Sequence, residues 1–336
     1  MGISIVVCTF NRAALLNLAI DSIFKQEYFP ANFELIIIDN NSSDNTFEIC
    51  EKYIGSKISV RYFKELAQGL SHARNRGYHE ALYDYIGYLD DDAQADKAWL
   101  KEAESIIQEK NPDAFGGPIF PYYLTAKPDW FIDDYEIRLD YDKTGWLPEK
   151  NWLSGSNMFF KKDVLTYFSG FRTDLGMNGE KFCYGEETEL LNRLKLNKNS
   201  IYYSLDLMVT HHVPAFKMDL GYQMFYSFEN SITHFKIHGK SKKLPLEAIG
   251  KELNQNLFEV YNILNDFVIA KKKEPTESFE EVFMKRLYSK FHWIGFLMEQ
   301  YSYNEKRYSK FPDWFLNVSI SKIIFILKNL LKKSKW

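Results

Sequence analysis

The first hundred residues alternate between short apolar runs and helical segments, and this alternation constrains the fold more than any other feature. Four runs rich in β-branched and aromatic residues predict buried strands, at residues 3–8, 33–38, 58–62 and 85–89. Helical segments separate these runs, at residues 13–25, up to about residue 53, and within 69–82. Strands that alternate with helices predict βαβ crossovers and a mostly parallel sheet, so the expected class is α/β.

Polar side chains follow three of these predicted strands. Four residues come directly after the first strand: Thr9, Phe10, Asn11 and Arg12. Asp39 follows the second strand and opens a polar stretch that runs to residue 44. The fourth strand closes on three consecutive aspartates: Asp90, Asp91 and Asp92. Because ligands bind outside the carboxyl ends of strands in open parallel sheets, these clusters predict a ligand site at that edge.

The aspartate triplet allows two interpretations. Three adjacent carboxylates repel one another unless a cation lies among them, and Mg²⁺ and Mn²⁺ prefer oxygen ligands that they share with substrate phosphates. On this interpretation the triplet forms a metal–phosphate site. Aspartate is equally favoured in turns and helix caps, so a solvated turn stays open as the alternative. If the strand continued through the triplet, Asp90 and Asp92 would face the same way.

Composition excludes several classes of protein. The 42 Lys and Arg residues against 45 Asp and Glu residues give a net charge of −3, which argues against a general nucleic-acid binder. The three cysteines, Cys8, Cys50 and Cys183, are far apart and lack CxxC spacing, which indicates a reducing compartment rather than a disulfide framework or a zinc site. The first predicted strand begins at residue 3, and no apolar run approaches the roughly 20 residues of a membrane span. We therefore expect neither a signal peptide nor a spanning helix.

Other nucleotide-binding α/β enzymes fit the sequence poorly. A Rossmann dehydrogenase is disfavoured because no G-x-G-x-x-G motif follows the first strand. A sugar nucleotidyltransferase would have a Gly-rich loop with Arg and Lys at that point, where this chain has Cys-Thr-Phe-Asn-Arg. A haloacid-type phosphatase needs its aspartates on the first strand, and this strand has none.

Further motifs follow in order along the chain: Arg74 within the Gly-flanked segment 69–77, then Gly155, Ser156 and Asn157, then Glu186 and Glu187, and last His211 and His212. Together with the three polar clusters, this order resembles family 2 glycosyltransferases, which have the GT-A fold. The resemblance covers about residues 3–240, and the combination of motifs is specific although each is weak alone. It implies a nucleotide-diphospho-sugar transferase with a mostly parallel central sheet, flanking helices and a helical C-terminal region.

The resemblance implies a role for each motif. Eight residues would contact the nucleotide sugar: Thr9, Phe10, Asn11, Arg12, Asp39, Arg74, Asp90 and Asp91. Three residues would contact the donor or acceptor sugar: Gly155, Ser156 and Asn157. Asp92 would bind Mn²⁺ or Mg²⁺ together with a histidine, for which His212 is a better match than His211. Glu187 would be the catalytic base, and Glu186 would hold the acceptor.

The chemistry of three side chains suits these roles. Asp39 can accept a hydrogen bond from the N3–H of uracil, which favours a UDP-sugar as donor. Arg74 can chelate diphosphate oxygens in bidentate fashion. Glu187 stands where the family more often has an aspartate, with the same chemistry and one more methylene group. The resemblance, together with the single plausible base, predicts inversion, and it implies a metal-dependent transfer to a hydroxyl of a glycan or lipid-linked acceptor. The alternative is a catalytically degenerate glycosyltransferase-like protein that only binds the nucleotide sugar.

We expect a catalytic domain over residues 1–222, with a nucleotide-sugar half at about 1–95 and an acceptor half at about 96–222. Helical periodicity dominates residues 223–336 and ends in an amphipathic segment, 319–336, with lysines off its apolar face. Such a helix lies at a membrane surface or packs on the domain or on a second copy of the chain, and these alternatives stay open. The expected location is cytoplasmic, at the inner face of the cell membrane if this helix binds there.

Overall fold

The computed structural model describes residues 2–179, 184–238, 244–270 and 277–305. The chain divides into two compact units. The first unit comprises Met1–Ala126 and Asp133–Pro214, and the second comprises Lys127–Ile132 and Ala215–Trp336. The compact units divide between Pro214 and Ala215, and the catalytic domain expected over residues 1–222 stays a prediction. The sequence also gave no sign that residues 127–132 group with the second unit.

The first unit begins with four parallel strands separated by helices. The strands are β1 (Ile3–Thr9), β2 (Phe33–Asp39), β3 (Val60–Lys64) and β4 (Tyr85–Leu89). The helices are α1 (Ala13–Phe24), α2 (Thr46–Glu51) and α3 (Leu70–Glu80). The strands pair in the order β3-β2-β1-β4, all parallel. The predicted βαβ arrangement is confirmed, and it brings the polar residues after β1, β2 and β4 to one edge.

Two small strands interrupt the chain after β4 and lie outside the main sheet. They are β5 (Ala93–Ala95) and β7 (Ile119–Tyr122), and they pair on either side of β11 (Val209–His212). β11 runs antiparallel to β5, with His211 paired to Ala93, and parallel to β7. Because β5 starts directly after the aspartate triplet, this second sheet brings the two histidines beside it.

The main sheet becomes mixed beyond β4. Its further strands are β6 (Ala114–Gly116), β8 (Gly145–Trp146), β9 (Asn157–Lys161) and β10 (Ile201–Tyr203), with helices α4 (Trp99–Lys110), α5 (Lys162–Tyr167) and α6 (Glu186–Leu196). The full order is β3-β2-β1-β4-β9-β6-β10-β8. β9 runs antiparallel to both β4 and β6, and β8 is antiparallel to β10. The parallel arrangement therefore holds for the first four strands, and the sheet as a whole is mixed.

Helices cover both faces of the parallel strands. Every residue of β1 and β2 is buried, as expected for strands with helices on either side. Helix α3 packs closely on β1, because a Cβ atom on Gly77 would lie 2.4 Å from Val6 Cγ1. On the other side of the sheet, Trp99 of α4 lies 4.8 Å from Phe159 of β9 between ring centroids. Full burial of a side chain such as Phe159 stabilises the fold by about 1.5–3 kcal/mol.

The second unit is helical in its described residues. Its helices are α7 (Leu220–His238), α8 (Leu246–Ala270), α9 (Phe279–Val282) and α10 (Tyr288–Glu305), with a π-helical turn (Phe283–Leu287) between the last two. Its buried core includes Leu253, Phe283 and Leu297. Ser278 and Glu281 form a capping box at the start of α9. The predicted amphipathic segment 319–336 lies outside the described residues, as does Cys183.

None of the helices in the described ranges has the length and apolar character needed to cross a lipid bilayer.

Candidate active site

The aspartate triplet forms a turn between β4 and β5 rather than continuing the strand. Ala93 N donates to Asp90 O at 3.1 Å, which closes this turn. Asp90 Oδ1 accepts from Arg74 Nη2 at 3.1 Å, and Asp90 Oδ2 accepts from Ser156 Oγ at 2.5 Å. Strand alternation was therefore the wrong reason for grouping Asp90 with Asp92, although the turn does bring these two carboxylates together.

Asp91 and Asp92 share a single arginine. Arg12 Nη1 donates to Asp91 Oδ1 at 3.2 Å and to Asp92 Oδ2 at 2.8 Å. Thr9 Oγ1 donates to the other oxygen of Asp91 at 2.7 Å. Burial raises the pKa of Asp91 to about 7, and repulsion by Asp92 adds to this, whereas Arg12 and the Thr9 hydrogen bond oppose it. Thr9 and Arg12 thus contact the carboxylates directly.

One histidine completes a cluster of ligand atoms. His211 Nε2 lies 3.0 Å from Asp92 Oδ1, and atoms of Asp90, Asp92 and His211 all lie within 4.8 Å of one another. Two carboxylates and an imidazole, at a site where phosphates can complete the ligand set, suit Mn²⁺ or Mg²⁺. The residues therefore fit a divalent cation, with Asp92 as predicted and Asp90 joining it.

The preference for His212 over His211 is corrected by this geometry. His211 on β11 pairs with Ala93 on β5 in an antiparallel ladder. If this ladder continued by one residue, Asp92 would lie opposite His212, and the two side chains would point to the same face of the sheet. The turn ends that alternation at Asp92, whose carboxylate contacts His211 instead. His212 is buried, with its ring 5.4 Å from that of Tyr122, and its backbone N donates to Asp92 O at 2.8 Å.

Arg74 links the aspartates to the glutamates. It lies on α3 and is 2% exposed. Its Nη2 donates to Asp90 and its Nη1 to Glu186, and Gly155 O lies 3.5 Å from Nη2. Both terminal nitrogens contact carboxylates, and the expectation that Arg74 also chelates a diphosphate stays a prediction. Its observed contacts are those of an internal ionic bridge.

The two glutamates begin helix α6. Gly185, with φ +86°, turns the chain into the helix, and Glu186 is buried against Arg74. Glu186 is thus a partner of Arg74, and its expected role as an acceptor ligand stays a prediction. Glu187 is half-buried and lies beside Gly155. A Cβ atom added to Gly155 would lie 3.7 Å from the carboxyl carbon of Glu187 and 3.2 Å from Arg74 Nη2. Burial raises the pKa of Glu187 to about 8, the charge of Glu186 adds to this, and Arg74 opposes it.

The loop after β1 is tied to the loop after β2. Asn11 has a φ of +53°; its backbone N donates to Ser42 Oγ at 2.9 Å, and its Oδ1 accepts from Ser43 N at 2.7 Å. Phe10 is half-buried beside it. These contacts shape the loops, and the expected nucleotide contacts of Phe10 and Asn11 stay predictions.

Asp39 is 2% exposed, and both of its oxygens accept hydrogen bonds. Oδ1 accepts from Ser42 N at 2.7 Å, and Oδ2 accepts from Tyr62 OH at 2.6 Å. Asp39 therefore takes part in the turn that follows β2. Each carboxylate oxygen retains a second lone pair. Tyr62 was missed by sequence analysis; its position on β3, paired beside β2, was the available signal.

Of the three residues at 155–157, two face the site. Gly155 adjoins Arg74 and Glu187, and Ser156 donates to Asp90. Asn157 is fully buried: its Oδ1 accepts from Trp99 Nε1 at 2.9 Å, and its Nδ2 donates to Leu207 O at 2.6 Å and Pro118 O at 3.3 Å. The predicted sugar contact at Asn157 is corrected, because these three hydrogen bonds commit its side chain to the core.

Comparisons with known proteins bear on the family and the fold of the first unit. Residues 4–168 match the model of the family described as Glycosyl transferase family 2. A glucosyl-dolichyl phosphate glucuronosyltransferase of Haloferax volcanii is 26% identical over 238 residues, which cover 68% of this chain and 74% of that protein.

Solved structures share the fold at low identity. The mannosyltransferase PcManGT from Pyrobaculum calidifontis, in complex with GDP-Man and Mn²⁺, has a TM-score of 0.57 at 16% identity, over 90% of this chain and 86% of that one. S. aureus TarS 1-349 in complex with UDP-GlcNAc has a TM-score of 0.53 at 16% identity, over 93% and 94%. The unit that carries the carboxylates is thus a member of glycosyltransferase family 2, matched through residues 4–168, with the GT-A fold.

Proposed function

We propose that this protein transfers a sugar from a nucleotide-diphosphate donor to a hydroxyl of a glycan or lipid-linked acceptor, with inversion at the anomeric carbon. One observation carries the proposal: Arg74 joins Asp90, in the predicted cation cluster, to Glu186, next to a glutamate with a raised pKa. A carboxyl group beside a phosphate-binding centre is what an acceptor hydroxyl needs to lose its proton.

The donor is a nucleotide sugar, and we propose UDP as its nucleotide. Asp39 supports UDP because its oxygens keep lone pairs that can accept from uracil N3–H. Related folds have been solved with UDP-GlcNAc and with GDP-Man, which supports a nucleotide sugar as the donor. The choice of uracil as the nucleobase rests on Asp39.

Asp90, Asp92 and His211 would hold a divalent cation beside the donor phosphates. When bound, such a cation neutralises charge on the departing diphosphate. Asp91 takes no part in this ligand set; its hydrogen bonds from Thr9 and Arg12 fix the turn. Ser156 orients Asp90 through a hydrogen bond to the oxygen that Arg74 does not contact.

Glu187 is the proposed base. In its ionised form it takes the proton of the acceptor hydroxyl while that oxygen bonds to the anomeric carbon. The bond from that carbon to the diphosphate oxygen breaks on the opposite face, and its electron pair leaves with the nucleoside diphosphate. Glu186 cannot serve as well, because it is buried and paired with Arg74. A single base on the face away from the leaving group gives inversion.

We propose a lipid-linked acceptor. The relative from Haloferax volcanii bears the name of an enzyme that acts on glucosyl-dolichyl phosphate, which supports a lipid-linked acceptor. A lipid-linked acceptor would place the reaction at the cytoplasmic face of a membrane. Residues 319–336 are the proposed contact with that surface.

The test is nucleoside diphosphate release with UDP- and GDP-sugars and Mn²⁺, in the wild type and in Glu187→Gln. Glu187→Gln should lower turnover by about 10²–10⁴, the usual contribution of a general base, and leave the affinity for UDP unchanged. Glu189→Gln is the matched control, because Glu189 lies in the same helical turn but pairs with Arg193 at 2.8 Å. It should keep turnover close to that of the wild type.

Three outcomes would count against the proposal. Near-normal turnover in Glu187→Gln would refute the assignment of the base. A product with the anomeric configuration of the donor, read by proton NMR, would refute inversion. UDP binding without hydrolysis or transfer from any donor would favour a degenerate protein that only binds nucleotide sugars.

A further inference from the structure

We propose that Arg12 and the divalent cation compete for Asp92, and that the cation releases Arg12 to bind the donor diphosphate. The inference rests on the proposed metal-dependent transfer and describes how the same site is regulated. It makes Arg12 a positioning residue that couples the binding of the cation to the binding of the nucleotide.

The first support is the contact itself. A single guanidinium nitrogen, Nη1, lies 3.2 Å from Asp91 Oδ1 and 2.8 Å from Asp92 Oδ2. The side chains of these two aspartates are only 7% and 9% exposed, so water supplies little of their solvation. A positive charge placed between two buried carboxylates does what a bound cation would do there.

The second support is that the Arg12 side chain is partly exposed while its backbone is anchored. Its backbone carbonyl accepts from Leu15 N and Leu16 N, both at 3.0 Å, which anchors it at the start of α1. Its side chain is 44% exposed, whereas that of Arg74 is 3% exposed. The guanidinium of Arg12 is therefore on a flexible stem at the edge of the site, and that of Arg74 is enclosed.

The third support is the geometry of the cation's ligands. Asp92 contacts Arg12 through Oδ2 and His211 through Oδ1, so the carboxylate lies between the arginine and the cation cluster. A divalent charge beside Asp92 would repel the guanidinium and weaken its hold on the same carboxylate. A released guanidinium has the planar fork that binds phosphate oxygens in bidentate fashion.

These steps imply a coupling free energy between the two ligands. If Arg12 leaves the carboxylates when the cation binds, the nucleotide gains a phosphate ligand only then. By reciprocity, the nucleotide must tighten cation binding by the same factor. An arginine that stays in place would act differently, because it would weaken the cation and favour the diphosphate independently, without coupling them.

The experiment is titration calorimetry of the full chain with Mn²⁺, alone and in saturating UDP, so that no sugar transfer is involved. The proteins are the wild type, Arg12→Gln, and Arg172→Gln as a control. Arg172 is also a partly exposed arginine of the first unit, and it pairs with Asp174 at 2.7 Å rather than with the triplet. Both variants lose one positive charge.

We expect Arg12→Gln to bind Mn²⁺ alone about tenfold more tightly than the wild type. We also expect the factor by which UDP tightens Mn²⁺ binding to fall about fivefold or more, within the usual range of such couplings. Arg172→Gln should match the wild type in both measurements.

Two results overturn the inference and leave the proposed function standing: unchanged Mn²⁺ affinity in Arg12→Gln, or tighter Mn²⁺ binding with the UDP factor unaltered. The second result would mean that Arg12 only weakens Mn²⁺ binding through its positive charge and does not couple it to nucleotide binding. A wild-type protein that binds no Mn²⁺ with or without UDP would refute the proposed metal dependence itself, and the inference with it.

Discussion

Removal of the Arg74 side chain should strongly destabilise the first unit, because it leaves charge buried without a partner. Arg74 is 2% exposed and contacts Glu186 and Asp90. The side chain of Glu186 is 5% exposed, whereas that of Asp90 is 28% exposed and keeps a hydrogen bond from Ser156. Most of the cost should therefore come from Glu186.

The magnitude follows from what happens to a buried ion pair. Loss of one partner costs about 3–5 kcal/mol, while replacement of both by uncharged groups is often close to neutral. Arg74→Met keeps the length of the side chain and removes the charge, so it should lower the free energy of unfolding by about that amount. At about 2–4 °C per kcal/mol for a domain of 150–250 residues, the melting temperature should fall by about 6–20 °C.

The double variant Arg74→Met, Glu186→Gln separates charge from packing. It removes the unpaired carboxylate, so it should recover at least about half of the lost stability. Urea denaturation gives the free energies, and native-state hydrogen exchange assigns them to a unit. Peptides from β1 and β4 should lose protection in Arg74→Met, and peptides from α8 should not.

Two results would refute this reasoning. A loss below about 1 kcal/mol in Arg74→Met would mean that the Glu186 charge is solvated after all. A double variant no more stable than the single one would mean that Arg74 stabilises the unit by packing, for instance over the ring of Phe171 at 5.5 Å, and not by its charge.

Three further predictions concern the site. Since the pKa of Glu187 is raised from 4.5 to about 8, kcat/KM should rise with pH up to about 8 and then level off, and Glu187→Gln should abolish this limb. Between pH 4.5 and about 8, Glu187 is protonated in the native state and ionised in the unfolded state. Its contribution to the free energy of unfolding should therefore fall as pH rises through this range. In Mn²⁺ titrations with UDP, His211→Ala should weaken binding about tenfold or more, as loss of a metal ligand does, and His212→Ala much less. Asn157→Ala should lower the free energy of unfolding in urea by about 1–3 kcal/mol, because it leaves the Trp99 N–H unpaired.

Each of these has a contrary outcome. A kcat/KM that does not change with pH between 4.5 and about 8 would exclude Glu187 as the titrating base. Equal effects of the two histidine variants would mean that His211 is not the ligand. If Asn157→Ala left the free energy of unfolding unchanged and weakened donor binding, the prediction that Asn157 contacts the sugar would be supported after all.

The parallel half of the fold was predictable because it is determined by local patterns. Continuous apolar runs are buried on both faces when helices cover a sheet, and β1 and β2 are buried throughout. The polar residues at the ends of these strands must then share an edge. That is why Thr9 and Asp91, 82 residues apart, could be expected near each other, and they are joined by a hydrogen bond.

The choice between the two histidines was not predictable, because it depends on one residue of register between distant segments. Alternation along a strand states that His211 and His212 face opposite ways but not which one faces the site. The answer depends on the pairing of β11 with β5 and on the turn that ends β4. Asn157 misled for a similar reason: its motif resembles a sugar contact, but its environment is set by Trp99, 58 residues away.

The antiparallel strand β9 explains how the two halves of the site act together. Leu89, the last residue of β4, pairs with Asn157, the first residue of β9. The next residues outward are therefore Asp90 and Ser156, which must lie opposite each other, and their side chains share a 2.5 Å hydrogen bond. Gly155 then falls beside Arg74 and Glu187, where an added Cβ atom would lie 3.2 Å from Arg74 Nη2, a tighter contact than side chains usually make. This strand pairing thus places Ser156 and Gly155 beside Asp90 and Arg74, and Arg74 in turn contacts Glu186, the residue before the proposed base.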